Sequence, residues 1–122
     1  MRCLAVITLA LLVLTGCQTI NFAAELKRIR PLAEQGDTKA QTRLGTMYIW
    51  GEGVPKDNKE AARWFRKASD QGDANAQRWL GDIYHHGHGI TRDYKEAVRW
   101  YRKAAKQGNA SAYQLNPRPT LS

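Results

Sequence analysis

The chain has 122 residues, enough for one small domain. With 43% hydrophobic and 25% charged residues, its composition excludes a collagen-like or a compositionally disordered chain. The formal charge of +8 points to anionic partners without naming them.

Arg2 is the only charge ahead of an apolar run, LAVITLALLVL, at 4–14. The run falls short of the roughly 20 residues that span a bilayer and has the length of a signal-peptide core. It ends in Leu14-Thr15-Gly16-Cys17, which resembles the bacterial lipoprotein signal, where a lipid is attached to the cysteine and the chain is cut just before it. That resemblance implies a signal peptide over 1–16, a lipidated Cys17 and a linker over 17–20. An ordinary secretory signal with a chance cysteine is the alternative. On the lipoprotein reading Cys3 leaves with the signal. The mature chain then keeps a charge of +7 and has no thiol for a disulfide, a metal or a nucleophile. An exported basic chain is not read as a nucleic-acid binder. Its electrostatic partners would be lipid headgroups, envelope polymers or acidic protein surfaces. Gln18 stands where an aspartate would favour inner-membrane retention, so an outer-membrane anchor facing the periplasm is expected in a Gram-negative cell.

From residue 21 the chain repeats itself. Gln-Gly recurs at 35–36, 71–72 and 107–108, each 36 residues apart. Segments 37–72 and 73–108 align without a gap, with 19 identities. The first segment, 21–36, aligns with the second half of a unit and predicts a single helix. Asn21 is its cap, Arg28 stands where Trp64 stands, and Pro31 should kink or break it near Arg30. Each full unit predicts two helices, A and B. Helix A starts at Asp37 or Asp73, which can cap it. Its inner face is Ala40, Leu44, Met47 and Tyr48, or Ala76, Leu80, Ile83 and Tyr84. The turns GEGVPKD and GHGITRD end it. Helix B opens at Asp57 or Asp93 with Glu60 or Glu96 three residues on, a capping-box pattern. Its core face is Ala61, Trp64, Phe65 and Ala68, or Ala97, Trp100, Tyr101 and Ala104, and it closes at Gly72 or Gly108. Gly45 and Gly81 inside helix A suggest close approach by a neighbouring backbone, and Trp64 and Trp100 should fill the space between A and B. Residues 109–116 begin a third helix A, cut short at Pro117, and 117–122 should be a disordered tail.

The pattern A-x3-L-G-x2-Y-x2-G-x-G-[VI]-x2-D-x3-A-x2-W-x-R-K-A-x2-Q-G resembles Sel1-like repeats, relatives of tetratricopeptide repeats. The resemblance implies an all-α fold, a short right-handed α-solenoid of two full helix-turn-helix repeats flanked by partial ones, over 21–116. It further implies a scaffold for contact between proteins. A cysteine-rich branch of the family is linked to β-lactam binding, but this chain lacks the paired cysteines, so that activity is not carried over.

Every histidine lies in YHHGHG at 84–89. The tyrosine and glycines repeat YIWGEG of the first unit, so only His85, His86 and His88 are peculiar to this copy. A metal reading would need Asp82 beside His85 or His86, and one short segment rarely makes a closed site. The bland reading is a solvated helix end and turn. No nucleophile–base arrangement is visible, so no catalytic residue, cofactor or enzymatic activity is expected. An enzyme or accessory factor acting on cell-wall material is the alternative class. The outer faces of the B helices are basic, with Lys59, Arg63, Arg66, Lys67, Lys95, Arg99, Arg102, Lys103 and Lys106. That is either a solvated face or a salt-sensitive contact with an anionic membrane or partner. The A helices generally line the concave face of a solenoid, so partner-binding residues are sought there: Lys39, Arg43, Asn75, Arg78, Trp79 and Asp82, with Trp50 at the turn. An exposed Trp79 beside Arg78 would be hot-spot chemistry; the alternative is that Trp79 packs under the truncated third A helix. The unfinished C-terminal end leaves room for weak self-association.

Overall fold

The computed structural model describes residues 22–108. The signal 1–16, the lipidation site Cys17, the 17–20 linker, the Asn21 cap, the third A helix at 109–116 and the 117–122 tail lie outside the described residues. Five helices follow in order: α1 (22–34), α2 (Thr38–Trp50), α3 (Asn58–Asp70), α4 (Ala74–His86) and α5 (Tyr94–Lys106). No strand occurs among the described residues. Helices α2 and α3 pack as one hairpin, α4 and α5 as the next, and α3 meets α4 between them. This is an all-α solenoid. Helices α2 and α4 are the A helices; α1, α3 and α5 are of B type.

Local chemistry sets the helix ends. The carboxylate of Asp37 accepts from the Ala40 N–H at 2.8 Å, and that of Asp73 from the Ala76 N–H at 3.0 Å. Asp57 accepts from the Lys59 and Glu60 N–H groups, and Asp93 from that of Glu96. The expected capping box is only half built. The Asp57 and Asp93 N–H groups donate to the carbonyls of Tyr48 and Tyr84, each at 2.9 Å. With that donor already satisfied by the end of helix A, Glu60 and Glu96 turn to Arg63 and Arg99 instead.

Pro31 does not break α1, which runs unbroken to residue 34. The residue is exposed, and its own carbonyl still accepts from the Gln35 N–H. One absent hydrogen bond is offset by burying Ile29 and Ala33 against Ala40, Leu44 and Met47.

Gly45 and Gly81 make room for a side chain, not for backbone. A Cβ at Gly45 would stand 2.6 Å from the Phe65 ring, and one at Gly81 2.5 Å from that of Tyr101. These two rings, fully buried, fill the space between A and B of their own repeats. Trp100 therefore sits one step round the helix, in the core formed with Ala62 and Phe65 of α3 and Leu80 of α4. It closes the corner where three helices meet. Gly53 and Gly89 have positive φ, and each lies against the start of the preceding B-type helix: a Cβ would come within 2.9 Å of the Phe22 carbonyl oxygen or the Lys59 nitrogen.

Two polar devices recur between repeats. Gln41, buried, donates to the Ala33 carbonyl of the preceding helix and accepts from Gln71. Gln77 does the same with the Ser69 carbonyl and Gln107. The Arg30 guanidinium donates to the Tyr48 hydroxyl, and that of Arg66 to the Tyr84 hydroxyl. The recurrence of Arg66 is thus partly structural.

Candidate functional site

A groove of about 370 Å³ opens where the end of α2 meets the end of α4. Ile49, Trp50, Lys56 and Asn58 line one side; Trp79, Asp82, Ile83, His86 and His88 line the other. The repeat creates it. The αL glycines at the ends of the A helices, Gly51 and Gly87, turn the chain at the same place in both copies. The variable turn residues of each copy thus come to the same side. Trp50 is 65% exposed, the most open large hydrophobic residue among those described. An aromatic surface left in water at a rim adds apolar area to any contact that covers it.

Trp79 is half-buried, so of the two readings of position 79 the packed one, not the fully exposed hot spot, is nearer, though its packing partner is the preceding B helix. Its ring stacks on Phe65 of α3, with centroids 5.5 Å apart and planes 5° apart. The Arg78 guanidinium also lies over the indole, 4.6 Å from the ring centroid. The reason is geometric: position 79 faces the preceding B helix, so the indole packs across the repeat junction while still lining the groove. Arg78 also donates to Asp82 at 2.8 Å, and the second Asp82 oxygen accepts the Tyr101 hydroxyl at 2.6 Å. Burial first, then the bond to that carboxylate, pushes the Tyr101 phenol well above its ordinary pKa.

Arg43, the counterpart of Trp79, is also tied to its neighbours. It donates to Glu25 of α1 at 2.7 and 2.8 Å and to Glu52 of its own turn at 3.0 Å. Its hydrogen bonds hold the Glu25 carboxyl below the usual range, and Glu25 in turn raises the guanidinium. Lys39 and Asn75 are exposed on the A helices, outside the groove lining.

The three histidines stay in a row. His85 meets both the His86 ring, at 4.8 Å, and the Tyr94 ring, at 5.3 Å, edge-on, and His86 lies 5.4 Å from His88; of the three only His86 and His88 line the groove. Asp82, with both oxygens engaged, does not join them. No group of three or more His, Cys, Asp or Glu that could hold a metal occurs among the described residues. The groove thus brings together Trp50, Trp79, Asp82, His86 and His88. It leaves Lys39, Arg43, Asn75, Arg78 and His85 outside its lining. Lys56 and Asn58 were not anticipated; their proximity to an inter-repeat groove has no local sequence signal.

The Sel1 repeat family model matches residues 38–73 and 74–109. Among solved structures, a Sel1 repeat protein from Oxalobacter formigenes is 40% identical with a TM-score of 0.71, covering 73% of this chain and 67% of that one. A protective antigen present in uropathogenic Escherichia coli strains, displaying an SLR fold, is 39% identical with a TM-score of 0.74. That match covers 81% of this chain but 23% of the antigen, so the chain spans about a quarter of that protein's length. No curated protein matches the chain.

Proposed function

The chain belongs to the Sel1 repeat family, a scaffold for contact between proteins, and we propose that it is a lipid-anchored adaptor of the bacterial cell envelope. It holds another protein on its A-helix side, in the groove rimmed by Trp50. The observation that carries this reading is an open apolar and aromatic groove, built from the residues that differ between the two repeats. A solenoid can vary its turns without losing its fold, so partner choice is expected to reside there. The anchoring half rests on Leu14-Thr15-Gly16-Cys17 behind the apolar run. Lipid on Cys17, followed by Gln18 and not by an aspartate, would hold the repeats at the outer membrane, facing the periplasm.

The titratable groups that line the groove are two histidines, one lysine and a carboxylate already bonded to arginine and tyrosine. The test is a photoreactive amino acid in place of Trp50, irradiated in the native envelope. One discrete adduct is expected from position 50 and none from Lys103 on the opposite side. Equal adducts from both positions, or none from 50, would sink the groove. Palmitate labelling of Cys17, compared with Cys17→Ser, tests the anchor separately.

A further inference from the structure

We propose that the B-helix side of the solenoid lies against an anionic bilayer, leaving the A-side groove open to the aqueous compartment. The charge of the molecule is segregated. Helices α1, α3 and α5 carry twelve Lys and Arg against five Asp and Glu, a formal +7. The A helices and all turns from 35 to 57 and from 71 to 93 carry five against six, a formal −1. Nearly the whole +8 of the chain thus lies on one side.

The cations are in register across the three helices. Lys27, Arg63 and Arg99 recur at one level and Arg30, Arg66 and Arg102 at another, and all six are exposed. Lys67 and Lys103 cover the rings of Trp64 and Trp100 at 4.5 and 4.4 Å, which fixes the ammonium groups without cancelling their charge. Among the described residues, the ion pairs on α3 and α5 are those of Glu60 with Arg63 and of Glu96 with Arg99. Between these cations runs a groove of about 470 Å³, with Ala62, Leu80 and Ile90 as its floor and Lys59, Arg63, Arg66 and Lys67 at its rim. A basic rim over an apolar floor is complementary to a phosphate headgroup with hydrocarbon behind it. Two of the three exposed large hydrophobics among the described residues, Leu32 and Tyr94, are also on B-type helices, and tyrosine favours the membrane–water interface.

The choice of a bilayer over an acidic protein rests on the lipid-anchor reading. Only residues 18–21 separate Cys17 from α1, so a lipidated chain holds the solenoid within roughly 20 Å of the headgroups at about 3.4 Å per residue. At that distance the surface is present at high effective concentration, and weak contacts suffice.

The test reconstitutes the full chain, lipidated in cells, into vesicles of zwitterionic lipid alone or with one third anionic lipid. Lysine acetylation rates are then read by mass spectrometry. On anionic vesicles Lys59, Lys67, Lys95 and Lys103 should react at least threefold more slowly, while Lys39 and Lys56 keep their rates. Molar salt should abolish the difference. In Lys59→Gln/Lys95→Gln, with two cations removed at about 1 kcal/mol each, the protection of Lys67 and Lys103 should be lost. Equal rates on both vesicle types, or protection of Lys39 and Lys56 instead, would overturn the proposal. So would a polyglutamate peptide that protects the same lysines better than anionic lipid does, since the partner would then be an acidic protein. The anchor reads out independently: without it the chain leaves zwitterionic vesicles. Flotation with anionic vesicles alone would still support docking, and flotation with neither would overturn it.

Discussion

Position 43 of the first repeat is an arginine, and the equivalent position 79 of the second is a tryptophan. Both face the helix that precedes their repeat. Helix α1 offers Glu25 there, and Arg43 pairs with it; α3 offers the Phe65 ring, and Trp79 stacks on it. The neighbour selects the chemistry. A second set of differences is coupled inside the repeats. Repeat one has Thr42, Thr46 and Phe65 where repeat two has Arg78, Asp82 and Tyr101. The Phe65 ring needs no polar partner. The Tyr101 hydroxyl does, because an unpaired buried hydroxyl is costly. Asp82 supplies it, and Arg78 compensates the carboxylate. In repeat one Thr42 is released from that duty and bonds the Asp73 cap of α4 instead, at 2.6 Å.

The largest test is to truncate the two rings in turn. Phe65→Ala should cost about 3–5 kcal/mol, as for other buried aromatic truncations. Phe65 serves both its own repeat, against Gly45, and the junction, against Trp79. Urea denaturation should therefore show loss of both repeats together. Tyr101→Ala should release repeat two while repeat one keeps its helices. If both variants lose the same structure, the junction is not where the repeats couple.

Tyr101→Phe removes only the hydroxyl and should cost about 1–3 kcal/mol, because Asp82 loses a donor. The converse, Phe65→Tyr, should cost a similar amount, and adding Thr46→Asp should recover part of it. No recovery would mean that the two triplets are not interchangeable units. The pH profile follows. The folded-state pKa of Tyr101 is raised above its unfolded value, so its contribution is fully present below about pH 10 and is lost as pH rises toward the folded value. Alkaline melting curves should show that loss in the parent chain and much less of it in Tyr101→Phe.

Glu25 has the opposite sign and a smaller size. Its folded-state pKa is depressed, so its contribution is present above about pH 4.3 and lost as pH falls through the folded value. Both partners are partly exposed, and solvent screening keeps the pair below about 1 kcal/mol. Arg43→Ala should flatten the acid limb of the stability curve. An unchanged limb would mean that Arg43 holds α1 through packing of its stem alone.

Most of the fold was legible because each feature is local and sampled twice. Asp37, Asp73, Asp57 and Asp93 act within three residues, and the glycine turns act within one. The Sel1-like pattern compresses those local rules. What escaped was everything set by a neighbouring helix. Glu25 reads as an ordinary surface acid, yet it pairs with Arg43 eighteen residues away. Gln41 and Gln77 read as polar residues on an amphipathic helix, yet both are buried and bonded across helices. Their identity in both copies was the available signal. The place of Trp79 stayed open for the same reason: its burial depends on Phe65, not on its own helix. Of the candidate site, the turn residues Trp50, His86 and His88 were recognisable as variable slots. That they share one groove depends on how the repeats stack.

The turn itself gives the smallest expected effect on stability and the cleanest separation of scaffold from site. In repeat one the slots hold Ile49, Trp50 and Glu52; in repeat two they hold His85, His86 and His88. His86 and His88 are exposed and contribute nothing to the core. His86→Ala/His88→Ala should therefore change stability by less than about 0.5 kcal/mol, the usual range for surface substitutions. Any loss of partner capture in this variant is then a loss of contact, not of fold. The same variant separates metal binding from simple polarity. His85, His86 and His88 are ring neighbours but do not converge as a metal-holding group, and Asp82 is committed to Arg78 and Tyr101, so a closed four-ligand zinc site is not built among the described residues. Calorimetric zinc titration should give weak heats that differ little between the parent chain and the variant. A tight one-to-one heat lost in the variant would show that the second turn binds a metal by drawing in a ligand from elsewhere. The groove would then close around an ion, and repeat two would differ from repeat one in chemistry as well as in packing.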